Sequence, residues 1–196
     1  MRPFQRVCVF CGSSPGMRPA YAEAARAMGS LLAERGIGLV YGGGRVGLMG
    51  IAADASLAAG GEVIGVIPES MMAREVGHPG VTQLHVVPNM HTRKALMYDL
   101  SDAFVALPGG FGTLDELCEA LTWSQLGIHG KPCGLLNVGG YFVGLLTFFD
   151  HARDEGFIRP AHRGLALADA DPAALLDRMS LPRESAPEKW LESEDR

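Results

Sequence analysis

Ala103-Phe104-Val105-Ala106-Leu107-Pro108-Gly109-Gly110-Phe111-Gly112-Thr113 passes from an unbroken apolar run, through a proline and two glycines, into a stretch of helical periodicity. A run of apolar residues with no polar alternate makes a strand covered on both faces, the kind found inside parallel sheets. Pro108 ends it, and a helix from about Thr113 to Gln125 follows. The same order of buried strand, glycine turn and helix recurs earlier in the chain. Arg6 to Cys11 leads through Gly12-Ser13-Ser14-Pro15-Gly16 to a helix over about Pro19–Arg35. Leu39-Val40-Tyr41 leads through Gly42-Gly43-Gly44 to an alanine-rich helix over about Gly47–Ala59. Further strands are expected at Glu62–Ile67, Leu84–Val87 and, as the last, Cys133–Val138. Helices are expected at Met90–Leu100, Tyr141–Glu155, Pro160–Leu167 and Pro172–Met179, with a short helix and a mobile loop between Glu69 and Gly80 carrying Arg74, Glu75 and His78. This alternation predicts an α/β fold: a Rossmann-like, doubly wound, mostly parallel sheet with helices on both faces.

At 196 residues the chain suits one domain, expected over residues 1–181, with a mobile tail over 182–196 that is rich in Pro, Glu, Ser and Lys and whose Trp190 docks on the body. Hydrophobic residues make up 47% and charged residues 20%, which is too apolar for extended disorder. The net charge of −5 opposes any general attraction to nucleic acid or to an anionic membrane, so a phosphate has to be held by a local site. The N-terminus has no secretory pattern and no stretch has the length of a membrane span, which makes the cytoplasm the expected location. Cys8 and Cys11 have C-x-x-C spacing but fall on a strand, where residues three apart face opposite ways, and Cys118 and Cys133 have no Cys or His at ligand spacing. Neither a metal site nor a bound cofactor is expected.

Glycine turns that follow a buried strand and open a helix let backbone N–H groups face an anion without interference from side chains. The first, Gly42-Gly43-Gly44-Arg45-Val46-Gly47, satisfies G-x-G-x-x-G, with Glu62 at about the spacing of a dinucleotide-binding acid. Glu62, however, opens its strand instead of closing it. Close helix–sheet packing, or contact of Gly43 and Gly44 with a phosphate or sugar, are the other readings. The second turn, Pro108 to Glu116, joins an anion cradle to the Thr113 hydroxyl and the carboxylates of Asp115 and Glu116. It lacks the lysine that a Walker loop places on β- and γ-phosphates, which makes a monophosphate the better ligand. Thr113-Leu114-Asp115-Glu116 also satisfies a capping box, in which Thr113 caps the helix and Glu116 reaches back to it. His91-Thr92-Arg93-Lys94 sets two cations at a helix start, where the macrodipole disfavours them and an anionic ligand or carboxylate would compensate.

Met90-His91-Thr92-Arg93-Lys94 and Pro108-Gly109-Gly110-Phe111-Gly112-Thr113-Leu114-Asp115-Glu116 closely resemble the LONELY GUY (LOG) family of cytokinin-activating phosphoribohydrolases, whose members are often labelled lysine decarboxylases. Val7 to Gly16, Tyr41 to Gly44, Gly47 to Gly50, Gly65 to Pro68 and Thr122 to His129 extend the resemblance over roughly residues 6 to 165. It implies hydrolysis of the N-glycosidic bond of N6-substituted adenosine 5′-monophosphates, and of AMP, to free base and ribose 5-phosphate by a homodimer. It assigns catalysis to Arg93 and Glu116 and the phosphate cradle to Gly110, Gly112 and Thr113. Further substrate contacts fall to Glu75, Lys94 and Thr122, and Phe111, Leu114 and Asp115 lie within the same motif. A carboxylate suits this chemistry, because loss of the base leaves an oxocarbenium-like ribosyl centre. Arg93 either anchors the phosphate or holds Glu116 ionised. Two rival readings remain: a pyridoxal phosphate decarboxylase, which needs one of Lys94, Lys131 and Lys189 as its cofactor lysine, and a non-catalytic carrier of a nucleotide or of the molybdenum cofactor.

Overall fold

The computed structural model describes residues 4–75 and 77–182, with the side chains of 73–75 excepted. The expected C-terminal tail with Lys189 and Trp190, and the side chains of Arg74 and Glu75, lie outside the described residues. Strands and helices alternate as β1 (Arg6–Phe10), α1 (Pro19–Glu34), β2 (Gly38–Tyr41), α2 (Gly47–Ala58), β3 (Val63–Pro68), α3 (Glu69–Glu75), β4 (Gln83–Val87), α4 (Met90–Asp99) and β5 (Ala103–Ala106). They continue as α5 (Phe111–Gln125), β6 (Cys133–Leu136), a 3-10 turn (Val138–Gly140), α6 (Val143–Asp154), α7 (Pro160–Arg163), β7 (Ala166–Asp169) and α8 (Pro172–Met179).

The seven strands are parallel and lie in the order β4-β3-β2-β1-β5-β6-β7. Strand residues alternate between two apolar layers. Val7, Val9, Leu39, Tyr41, Ala103 and Val105 pack under α1, α2 and α8, whereas Cys8, Phe10, Val40, Ile64, Val66 and Phe104 pack under α4 and α5. A third cluster joins Leu117 of α5 and Phe149 of α6 over Ala106 and Leu135. Cys8 and Cys11 consequently fall in different layers, and all four cysteines are free thiols. No helix among the described residues is long and apolar enough to cross a membrane.

The strand at Ala166–Asp169 corrects two expectations, that β6 is last and that a helix fills Pro160–Leu167. Alanine and leucine favour helix locally, but Ala166 to Asp169 pair with Cys133 to Leu136, and this edge position, only partly buried, decides the conformation. Helix α7 stops at Arg163, whose guanidinium turns onto Asp150 at 2.8 Å.

The sheet order places a topological switch point between β1 and β5, since the chain leaves β1 toward β2 on one side and leaves β5 toward β6 on the other. The loops after these two strands diverge there and open a crevice at the carboxyl ends of the strands, where ligands of open α/β sheets bind.

Candidate active site

A cavity of about 260 Å³ occupies that crevice. The end of β1 and its turn supply Cys11, Gly12 and Ser13 to its wall, and Gly42 comes from the turn after β2. Arg93 comes from α4, and Gly110 through Thr113 with Asp115 and Glu116 from the start of α5. Met49, Met71, Met90 and Phe111 add an apolar side, and Phe111 itself stands 93% exposed on the rim.

The turn before α5 is built from its glycines outward. Gly110 is the N-cap with extended backbone, so the helix begins at Phe111, two residues before the expected start. The capping-box reading is corrected accordingly. Thr113 lies inside the first turn and is 3% exposed, and a Cβ at Gly109 would collide with its side chain. A glycine N-cap has no side-chain acceptor, which leaves the first N–H groups of α5 without the partner that serine or aspartate supplies elsewhere. A Cβ at Gly110 or Gly112 would meet no atom of the rest of the fold within 4 Å, so packing does not explain these glycines, and the space beside them is open to a ligand.

Arg93 and Glu116 meet beside this turn. Asn89 caps α4 by accepting a hydrogen bond from the Thr92 N–H at 2.9 Å, and one turn later Arg93 reaches back under the cavity. Its Nε donates to the Val66 carbonyl at 3.1 Å and its Nη2 to the Gly42 carbonyl at 3.0 Å. Nη1 then lies 3.7 Å from Oε1 of Glu116. Arg93 is 5% and Glu116 8% exposed, so each charge stands largely out of water beside the other. The Tyr98 hydroxyl donates to the Glu116 carbonyl at 3.1 Å and fixes the helix beneath the carboxylate. Burial, and then the charge of Glu116, push the Cys11 thiol well above the ordinary cysteine range; it stays protonated and is no nucleophile.

Other expected contacts are placed elsewhere. Lys94 does not line the cavity and sits 3.1 Å from both Asp115, which does, and Glu119. Burial alone would lower its pKa, but these two carboxylates outweigh that and raise it. Thr122 lies further along α5, where its hydroxyl donates to the Cys118 carbonyl at 2.7 Å, and it lines a separate cleft of about 250 Å³ with Phe149 and Phe157. Leu114 packs into the third apolar cluster. Gly43 has φ of +78° and lies so close to β3 that a Cβ would be 3.0 Å from that of Ile67; Gly44 bridges to Gly77. Gly43 serves packing, neither it nor Gly44 lines the cavity, and Gly42 is the member of that turn that does. Glu62 binds Arg6 at 2.8 Å at the opposite end of the sheet, so it is no ribose acid. A cleft of about 690 Å³ lies there, but its charged lining residues are this same pair, already neutralised by each other. The wall from Cys11 to Ser13 and the methionines escaped sequence reading. The first had a signal in the glycine–serine turn after β1, which repeats the strand–glycine–helix order; the methionines had none.

Fold and site together define a doubly wound α/β protein with a buried glutamate–arginine pair beside a glycine-rich helix N-terminus in its switch-point crevice. Residues 49–179 match the family model described as possible lysine decarboxylase. The chain is 52% identical over 176 residues to the cytokinin riboside 5′-monophosphate phosphoribohydrolase LOG7 of Arabidopsis thaliana, covering 90% of this chain and 81% of the relative. It is 51% identical to LOG1 of the same plant, over 90% of this chain and 83% of that one. The chain belongs to the LONELY GUY (LOG) family. Among solved structures, the molybdenum cofactor carrier protein of Chlamydomonas reinhardtii superposes with a TM-score of 0.68 at 24% identity, covering 89% of this chain and 96% of that one, which shows a shared fold.

Proposed function

We propose that this chain hydrolyses the N-glycosidic bond of adenosine 5′-monophosphates, those carrying N6 substituents and AMP itself, to free base and ribose 5-phosphate. The observation that carries the reading is the buried Glu116–Arg93 pair next to glycines that no packing demands. The 5′-phosphate rests on the unpaired N–H groups of the first turn of α5, held by hydrogen bonds and by the positive end of the helix. This sets the ribose beside Glu116. As the C1′–N bond breaks, its electron pair leaves with the base, which takes up a proton, and positive charge grows on C1′. The Glu116 carboxylate stabilises that charge and orients the water whose oxygen bonds to C1′, and the proton this water loses balances the one the base takes up. Arg93 gives Nε and Nη2 to the Val66 and Gly42 carbonyls and faces Glu116 with Nη1. That geometry favours holding the glutamate ionised over anchoring the phosphate. The apolar side formed by Met71, Met90 and Phe111 suits a base bearing an alkyl substituent.

Neither described lysine supports a Schiff base. Lys94 does not line the cavity and is paired with two carboxylates, and Lys131 donates to the Tyr98 carbonyl at 2.6 Å. Incubation with AMP and with isopentenyladenosine 5′-monophosphate should release ribose 5-phosphate and free base; no release above buffer from either substrate overturns the reading. The four free thiols suit a reducing compartment such as the cytoplasm. Exposed Phe148 and Phe157, at 60% and 78%, and the cleft they neighbour suit pairing into a homodimer. Sedimentation at micromolar concentration should give the mass of two chains, and a mass of one chain contradicts the pairing.

A further inference from the structure

Tyr141 does not line the cavity, yet it touches the turn that does. Its hydroxyl donates to the Gly109 carbonyl at 2.6 Å. The loop that carries it is built to bring it there. Gly139 and Gly140 take φ of 56° and 77°, and the Phe142 N–H donates to Oδ1 of Asn137 at 2.7 Å, closing the loop after β6. The Tyr141 ring is then set edge-on against Tyr21, 5.6 Å between centroids at 77°, and against Phe142, 5.0 Å at 89°. A side chain 42% exposed is thereby held in one orientation.

The other carbonyl of the turn is held as well, since Pro108 accepts from the Gly12 N–H at 3.0 Å. A trans peptide points its C=O and the following N–H in opposite directions, and the chain has no cis bond among its described residues. Drawing the Gly109 carbonyl outward to Tyr141 therefore turns the Gly110 N–H toward the cavity that Gly110 lines. Glycine on both sides of this peptide leaves it free to rotate. A rotated peptide would present its carbonyl oxygen to an anion and repel it.

We propose that Tyr141 is a positioning residue for the anion cradle: its hydroxyl fixes the Gly109–Gly110 peptide with the N–H directed at the substrate phosphate. The proposal rests on the phosphoribohydrolase reading above. It is tested with Tyr141→Phe, which keeps the ring and its edge contacts, and with Tyr21→Phe, whose hydroxyl is not part of the arrangement. Hydrolysis of AMP is measured with ribose 5-phosphate and adenine as product inhibitors. In Tyr141→Phe the KM for AMP and the inhibition constant of ribose 5-phosphate rise about three- to tenfold, the size of one lost hydrogen bond. The inhibition constant of adenine, kcat and the melting temperature stay as in the parent, the pattern of lost uniform binding, and Tyr21→Phe matches the parent throughout. Unchanged inhibition by ribose 5-phosphate overturns the proposal. Equal weakening of adenine and ribose 5-phosphate, or a Tyr21→Phe protein that behaves like Tyr141→Phe, overturns it too, since either marks a general loosening of the loop. A parent protein that hydrolyses nothing removes the enzyme reading and this proposal together, whereas an active parent with an unaffected Tyr141→Phe removes this proposal alone.

Discussion

Glu116→Gln lowers the rate of ribose 5-phosphate release by about 10²–10⁴-fold, the range expected when a positioned carboxylate is lost from a polar transition state, while the melting temperature stays close to that of the parent. Both halves follow from the geometry. Glutamine fills the same volume over the same α5 backbone, which Tyr98 continues to hold through the Glu116 carbonyl position. The guanidinium left by the substitution stays partnered, because Arg93 keeps its hydrogen bonds to the Val66 and Gly42 carbonyls and its contact with Glu116 is a long one of 3.7 Å. A glutamate whose role were structural would behave differently, losing melting temperature with no specific loss of rate. Thermal melting and a discontinuous assay on one preparation separate the two, and a stable, fully active Glu116→Gln would remove this residue from the mechanism.

Arg93→Ala has the opposite profile, losing stability and activity together. Truncation strips the Val66 and Gly42 carbonyls of their donor and leaves the buried Glu116 carboxylate without the guanidinium beside it. Breaking a buried pair in this way costs about 3–5 kcal/mol, read as a lowered urea midpoint with an unchanged slope. Activity falls at least as far as in Glu116→Gln. Arg93→Lys restores the charge but not the planar fork that serves two carbonyls and a carboxylate at once, so it recovers part of the stability and little of the rate. An Arg93→Ala protein as stable as the parent would mean that these contacts do not hold the cavity floor.

How far the sequence could be read depended on whether neighbours in the chain are neighbours in space. The run Ala103–Leu107, the turn after it and the start of α5 form one continuous segment, and there the strand, the glycine turn and the helix were legible. Arg93 and Glu116 were legible as candidates, but their meeting depends on the order of the sheet, which packs α4 and α5 on one face. The capping box failed because Gly110 adopts the extended N-cap conformation two residues earlier than the Thr-x-x-Glu spacing implies. The edge strand Ala166–Asp169 was missed because pairing with β6, not its own composition, makes it extended. Asn89, the cap of α4, was overlooked beside the more conspicuous cations that follow it. Lys94 illustrates a further limit: a cation near a motif reads as a ligand contact until the carboxylates of the next helix are placed around it.

Helices α4 and α8 complete their first turns with a side-chain oxygen of their own chain, from Asn89 and Asp171, and α5 does not, because Gly110 has none to offer. On the proposed reaction, the oxygen that does this for α5 is the substrate's: its phosphate takes the place that the Asn89 and Asp171 side chains hold at α4 and α8, and the nucleotide finishes an element of secondary structure as it binds. Folding and recognition draw on the same donors here, so a variant that gave α5 a cap of its own would gain stability and lose its ligand in a single change.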